Sequence, residues 1–388
     1  MIPRLLEELV LKSFSLQKII LILGARQVGK TTLIKHIQAE LEKEEKKVLY
    51  LNCDIEEEMA AINTTSKIVL AQLLNKTNVL IIDEAQRLDN PGLTLKIIHD
   101  NFPRVRILAT GSASFELKNT MSDPLTGRFV DFTLYPLSLA EVLASHNSSH
   151  TSLKTLQKNQ ADALLPQALL YGLYPEIVCE HDPQTKLLFL NKIIESYLFK
   201  DILSFQRVRN PQTVKNLTRA LAYQIGSEIN ENELANRLKI DRKTVINYLD
   251  ILEKAYVIKR LYPFSRNPRR EIGKNYKVYF IDLGIRNALV GDVNPIELRF
   301  DSGSIWENFL FLERMKALAN ANKTVSCYFW RSYSGAEVDY IEQSNDGLQA
   351  YELKLRTNRL SKGSHAFSQK YAIPVKLIDK ENYTEFIL

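Results

Sequence analysis

Cysteine is scarce in this chain of 388 residues: Cys53, Cys179 and Cys327, with no CxxC spacing. So sparse and odd a set argues against a disulfide framework and against a structural zinc site. The six histidines are scattered, without metal-ligand spacing. Long apolar runs are missing too. Residues 19–23 are apolar, but Lys18 precedes them and Gly24 ends them, far short of the roughly 20 residues a membrane span needs. No secretion-like N-terminal segment, internal repeat or poly-residue tract is present. The expectation is a cytoplasmic protein with no membrane partner. Hydrophobic residues make up 45% and charged residues 25%, values that rule out disorder, collagen and low complexity. At roughly 100–200 residues per domain, the length predicts two to four domains.

The net charge of +6 is unevenly spread: residues 200–280 carry 17 Lys and Arg against 8 Asp and Glu. Such a basic middle is either a solvated surface or a polyanion-binding face.

Residues 19–23 read as a buried parallel strand. Gly24-Ala25-Arg26-Gln27-Val28-Gly29-Lys30-Thr31 follows, then Thr32 and an amphipathic helix. This is G-x-x-x-x-G-K-[ST] in its required setting, strand before and helix after. The glycines let backbone N–H groups close around phosphate oxygens. Lys30 reaches the β- and γ-phosphates, and the Thr31 hydroxyl is a Mg²⁺ ligand. ATP and Mg²⁺ are the expected cofactors. A second strand, 48–52, follows, and a later apolar strand ends in Asp83-Glu84. Asp83 would hold Mg²⁺ through water, and Glu84 would orient or deprotonate an attacking water. A further strand, 105–109, runs into Thr110-Gly111-Ser112. Ser112 is the candidate for sensing the γ-phosphate. Arg128, in Leu125-Thr126-Gly127-Arg128-Phe129, is read as an arginine finger, in cis or in trans, or as a structural arginine pairing a carboxylate. A trans finger requires a homo-oligomer.

These elements resemble the AAA-type ATPases over about residues 1–140. The intervening strand, the Asp-Glu pair, the polar strand end and Gly127-Arg128-Phe129 carry the resemblance. Ser112 stands where that family often has Asn, and Leu125 where it has Arg.

Residues 146–155 read as a linker, and 156–224 as a helical bundle of the kind that closes over a nucleotide. Residues 229–238 and 241–252 then make two short helices joined by a turn, with Asp241 able to cap the second. Two strands joined by a basic loop follow, which suggests a winged helix. Arg242, Lys243 and Asn247 would face a DNA groove, and Arg266, Arg269, Arg270 and Lys274 would lie on the wing. The other reading is a winged helix used for protein packing.

Near the C-terminus a helix carries Glu307. A hairpin then carries Asp339 on one strand, and Glu352 and Lys354 on the next. Residues two apart in a strand share a face. Two carboxylates and an ammonium converging there, with Glu307 nearby, suit metal-assisted hydrolysis with a Mg²⁺ or Mn²⁺ ion. Asp339, Glu352 and Lys354 resemble the D-x(n)-E-x-K pattern of restriction-endonuclease-like proteins. That likeness implies nuclease catalysis, or a nuclease fold that only binds DNA.

The expected architecture is α/β. An AAA-like P-loop core with a parallel sheet (1–145) precedes a helical lid (146–225), a winged helix (226–290) and a nuclease-like domain (291–388). Over nearly its full length the chain resembles a large prokaryotic family that joins an AAA-type core to a C-terminal region of largely unknown function. The phrases at 24–33, 174–176, 278–284 and 337–340 carry that resemblance.

Overall fold

A computed structural model describes residues 2–111, 125–146, 154–198, 210–265, 275–332, 335–356 and 359–388. The chain divides into two compact units. One takes residues 4–136 with 254–256, and the other takes 1–3, 137–253 and 257–388.

The first unit is built on five strands: β1 (Ile19–Leu23), β2 (Val48–Asn52), β3 (Val79–Asp83), β4 (Arg106–Gly111) and β5 (Phe129–Thr133). They lie in the order β2-β3-β4-β1-β5, all parallel. Every residue of β1 and β3 is buried, as both faces of a parallel sheet must be. The strand order brings β1 and β3, consecutive halves of the expected phosphate site, to either side of β4. All five strands point the same way, so the loops after β1, β3 and β4 emerge at one edge.

Gly24 opens the loop after β1. A Cβ there would run into the backbone carbonyl of Leu134, just past β5. The Leu134 N–H in turn donates to the carbonyl of Leu23 at 2.7 Å. Backbone meets backbone at this point, so only glycine fits. Gly29, at φ 95°, lies in the left-handed region before the Lys30–Lys43 helix, where other side chains would be strained.

The second unit holds a six-stranded mixed sheet in the order β11-β10-β9-β8-β6-β7. Its strands are β6 (Ile258–Pro263), β7 (Lys277–Phe280), β8 (Ser326–Arg331), β9 (Glu337–Ser344), β10 (Gly347–Leu353) and β11 (Val375–Ile378). The two helices expected of a helix-turn-helix are present as Glu231–Leu238 and Arg242–Lys254. Asn230 caps the first, and Asp241 accepts from the Thr244 N–H at the start of the second. Lys239 turns the chain between them at φ 54°.

Apart from residues 254–256, the segments expected as lid, winged helix and C-terminal domain lie in this one unit. The wing strands do not stand apart. β6 pairs antiparallel with β7 and parallel with β8, so the strands expected to form a wing continue the C-terminal sheet. Strand edges left unpaired are costly, and β8 covers the one that β6 would otherwise present. No helix among the described residues is long and apolar enough to cross a membrane.

Candidate nucleotide site and C-terminal acid cluster

Lys30 is only 5% exposed. Its ammonium donates to the carbonyls of Gly24 at 3.0 Å and Ala25 at 2.8 Å, inside its own loop. The Thr31 hydroxyl donates to Asp83 Oδ2 at 2.7 Å, across from the end of β3. A hydroxyl and a carboxylate side by side are hard oxygen donors of the kind Mg²⁺ prefers. The Gln27 side-chain oxygen, buried in the same loop, has no hydrogen-bond partner among the described residues. The loop therefore has a cation, a pair of oxygen donors and unused hydrogen-bonding capacity in one place. These residues fit a Mg²⁺–nucleotide.

Asp83 is 1% exposed and heavily engaged. Tyr50, in the middle of β2, donates its hydroxyl to Oδ2 at 3.1 Å. Burial first, and the Asp83 charge second, push that phenol well above its ordinary pKa, so it remains a donor. Thr110, near the end of β4, donates to Oδ1. The same hydroxyl accepts the backbone N–H of Glu84 at 3.1 Å. Glu84 itself has φ 54°, and its carboxylate accepts from the Gln86 amide.

Tyr50, Gln86 and Thr110 escaped the sequence reading. The signal for Thr110 was available. β3 and β4 are neighbours, with Ile82 opposite Ala109, so the next residue on each strand meets its counterpart. Ser112, chosen for the sensing position, lies outside the described residues.

Arg4 was also missed. Its guanidinium donates to the Val28 carbonyl of the phosphate loop at 2.6 Å and to the Tyr135 carbonyl at 2.7 Å. It ties the loop to the end of β5.

Arg128 is not near its own loop. Its carbonyl accepts from the Ile19 N–H at 2.9 Å, and Phe129 pairs with Ile19 at the start of β1. The phosphate loop leaves the other end of β1, a five-residue strand, and at about 3.3 Å per residue the separation is of order 16 Å. This removes the cis finger. The Arg128 side chain, partly exposed, donates to Asp100 at 2.9 Å, the carboxylate pairing expected as the alternative.

On the second helix of the helix-turn-helix, Arg242, Lys243 and Asn247 are exposed. Arg242 is bridged to Glu231 at 2.7 Å. Arg266, Arg269, Arg270 and Lys274 lie outside the described residues.

In the second sheet, Asp339, Glu352 and Lys354 come together. The Lys354 ammonium lies 3.2 Å from Asp339 and 3.3 Å from Glu352. Asp339 also accepts the Leu353 N–H at 2.8 Å. Glu352 accepts from the Ser361 N–H at 2.8 Å and from the Ser364 hydroxyl. Burial works against the Lys354 ammonium, but Asp339 and Glu352 outweigh it and raise its pKa. Burial raises the Asp339 carboxyl, with Glu307 adding to the rise.

Glu307 does not join the other two carboxylates around Lys354. Its Oε1 takes the Lys277 ammonium at 2.8 Å and the Tyr279 hydroxyl at 2.5 Å. Among the described residues no group of three His, Cys, Asp or Glu is arranged to hold a metal. A lone ion held by Asp339 and Glu352 with waters would still suit Mg²⁺; a set that includes Glu307 does not fit.

A parallel sheet carrying this loop and this Asp-Glu strand end defines a P-loop NTPase core. Residues 16–143 match the AAA domain family, residues 162–295 a domain of unknown function (DUF8612), and residues 302–383 another (DUF4143). The N-terminal third thus carries an AAA-type P-loop domain, and the C-terminal region carries a DUF4143 domain. An uncharacterized protein of Methanocaldococcus jannaschii is 27% identical over 334 residues, 84% of this chain and 72% of that protein. One of Mycobacterium tuberculosis is 28% identical over 340 residues, 87% of this chain and 70% of that protein. Among solved structures, the Walker-type ATPase PABY2304 of Pyrococcus abyssi superposes with a TM-score of 0.51 at 17% identity. The match covers 74% of this chain and 96% of that one, and it shows a shared fold.

Proposed function

We propose that the protein hydrolyses ATP at the loop between Gly24 and Thr31 and uses that cycle to remodel or process DNA. The observation that carries the hydrolysis is the hydrogen-bonded chain Thr31–Asp83–Thr110–Glu84. In this reading Thr31 and Asp83 are the oxygen donors for Mg²⁺, and the Glu84 backbone, bonded to Thr110, holds the Glu84 carboxylate for water. Lys30 binds the phosphates, while Thr31 and Asp83 hold the ion. Bound Mg²⁺–ATP supplies the phosphoanhydride and the charge that Lys30 balances. Glu84, fixed by Gln86 and by its backbone bonds, orients the attacking water and accepts its proton. Arg128 faces away from its own loop, so its catalytic use is in trans, from a second copy of the chain.

The DNA assignment rests on the exposed Arg242, Lys243 and Asn247 of the second helix and on the basic stretch 200–280. An ATPase assay with and without a panel of DNA structures tests it. Stimulation by DNA supports the assignment. Turnover indifferent to every DNA in the panel, with no binding, removes DNA and leaves a nucleotide-dependent switch that works by assembly.

A second reading, an ATP-gated metal-dependent nuclease, is favoured by the convergence of Asp339 and Glu352 on Lys354. In it, these carboxylates hold one divalent ion and Lys354 positions water or stabilises the phosphate. Divalent-metal-dependent cutting that disappears in Asp339→Ala would establish it. In that case Lys354→Ala keeps metal binding and loses cleavage.

A further inference from the structure

Lys277 sits on β7, in the wing of the helix-turn-helix region, and plays no part in either reading. It is 2% exposed. Its ammonium touches Glu307 at 2.8 Å, on the Ser302–Asn320 helix, and Glu337 on β9. Burial works against the charge. The carboxylates of Glu307, Glu337 and Asp339 outweigh it and hold the ammonium above its ordinary pKa. Tyr279, two residues on and so on the same face of β7, donates to the same oxygen of Glu307.

Taking such an ion out of water is costly, so a sealed ammonium persists only where carboxylates surround it. The helix acid that a metal-dependent phosphodiesterase would offer to a cation is here already holding one. Four carboxylates (Glu307, Glu337, Asp339, Glu352) meet two ammonium groups in this region. The two lysines differ in access. Lys277 is closed off, whereas the Lys354 side chain is about one-third exposed.

We propose that Lys277 is the permanent built-in cation of the C-terminal acid cluster, standing where a second divalent ion would otherwise bind Glu307. Glu307 and Glu337 are then the partners of a lysine supplied by the wing. A ligand entering the cluster meets the ammonium of Lys354 and the carboxylates of Asp339 and Glu352. The assignment holds whether or not the cluster cleaves DNA, because it concerns which cation Glu307 holds.

Calorimetric titration of the full-length, nucleotide-free chain with Mn²⁺ tests it, reading differences between variants. Lys277→Met leaves Glu307 and Glu337, the two carboxylates in contact with that ammonium, without their cation, a pair of hard oxygen donors that water can complete around a divalent ion. It should bind one more Mn²⁺ per chain than the parent. Its melting temperature should be low without Mn²⁺ and recover with it. Lys277→Arg should keep the parent stoichiometry. Glu307→Gln in the native background should leave Mn²⁺ stoichiometry unchanged, a result that does not depend on Lys277→Met folding. A folded Lys277→Met with no added Mn²⁺, or loss of a native Mn²⁺ in Glu307→Gln, would overturn the proposal.

Discussion

Replacing Thr110 by valine removes one hydroxyl and preserves shape, so it isolates a single bond in the nucleotide site. Thr110 is fully buried, so water cannot take its place. The side chain donates to the Asp83 carboxylate and accepts the Glu84 N–H. Losing a hydrogen bond to a charged partner costs about 1.5–3 kcal/mol. Asp83 keeps Thr31 and Tyr50, and the Glu84 N–H keeps a 3.2 Å bond to Asp83. No group is orphaned, which holds the cost within that range. For a unit the size of residues 4–136, such a loss lowers the melting temperature by roughly 5–10 °C. Glu84 is held at a φ of 54°, a conformation that disfavours non-glycine residues. Freed of one tether it relaxes away from the water it must orient. Turnover should therefore fall by roughly tenfold or more, the rate equivalent of about 1.4 kcal/mol. Nucleotide affinity should change little, because Lys30 and the loop backbone are untouched. Thr110→Ser retains the hydroxyl and should retain turnover. Thermal melting without nucleotide, a nucleotide-binding titration and a steady-state ATPase assay give the three readings. Wild-type melting and wild-type turnover in Thr110→Val would refute the role assigned to this bond.

Lys30→Ala should abolish nucleotide binding, since the phosphates lose their main point charge, whereas Glu84→Gln should bind ATP and fail to hydrolyse it. Glu84→Gln turning over at the wild-type rate would remove Glu84 from the chemistry. Arg128→Ala breaks a partly exposed ion pair with Asp100, worth about 0–1 kcal/mol. Its stability should barely move, while turnover falls more than affinity and wild-type activity rises with protein concentration. Mixing Arg128→Ala with Glu84→Gln should partly restore hydrolysis, and mixed assemblies without recovery would make the arginine purely structural. Reversing Arg242 and Lys243 together should weaken DNA binding across unrelated sequences and flatten its salt dependence. An unchanged affinity and salt slope would leave the helix-turn-helix as a packing module.

What was legible in the sequence is what chemistry writes locally. The phosphate loop must be contiguous, because consecutive backbone N–H groups wrap one phosphate chain. Gly24 to Thr31 therefore announced itself, as did Asp83-Glu84 at the end of an all-apolar strand. Both helices of the helix-turn-helix were readable from periodicity and capping, and the hairpin placed Asp339, Glu352 and Lys354 on one face by strand parity. The contacts that needed the tertiary structure join residues far apart in sequence. Thr110 reaches Asp83 only because β4 lies beside β3. Tyr50 reaches it because β2 lies on the other side. Arg128 was read as able to serve its own loop, but parallel pairing with β1 puts it at the opposite edge of the sheet. The wing was expected to be a separate module, yet β6 finds a partner in β8 and carries Lys277 on β7 into the acid cluster. No pattern near residue 277 could show that a lysine there would meet Glu307 and Glu337. Burial and pairing of charge are decided by which strands become neighbours, and that choice belongs to the whole fold.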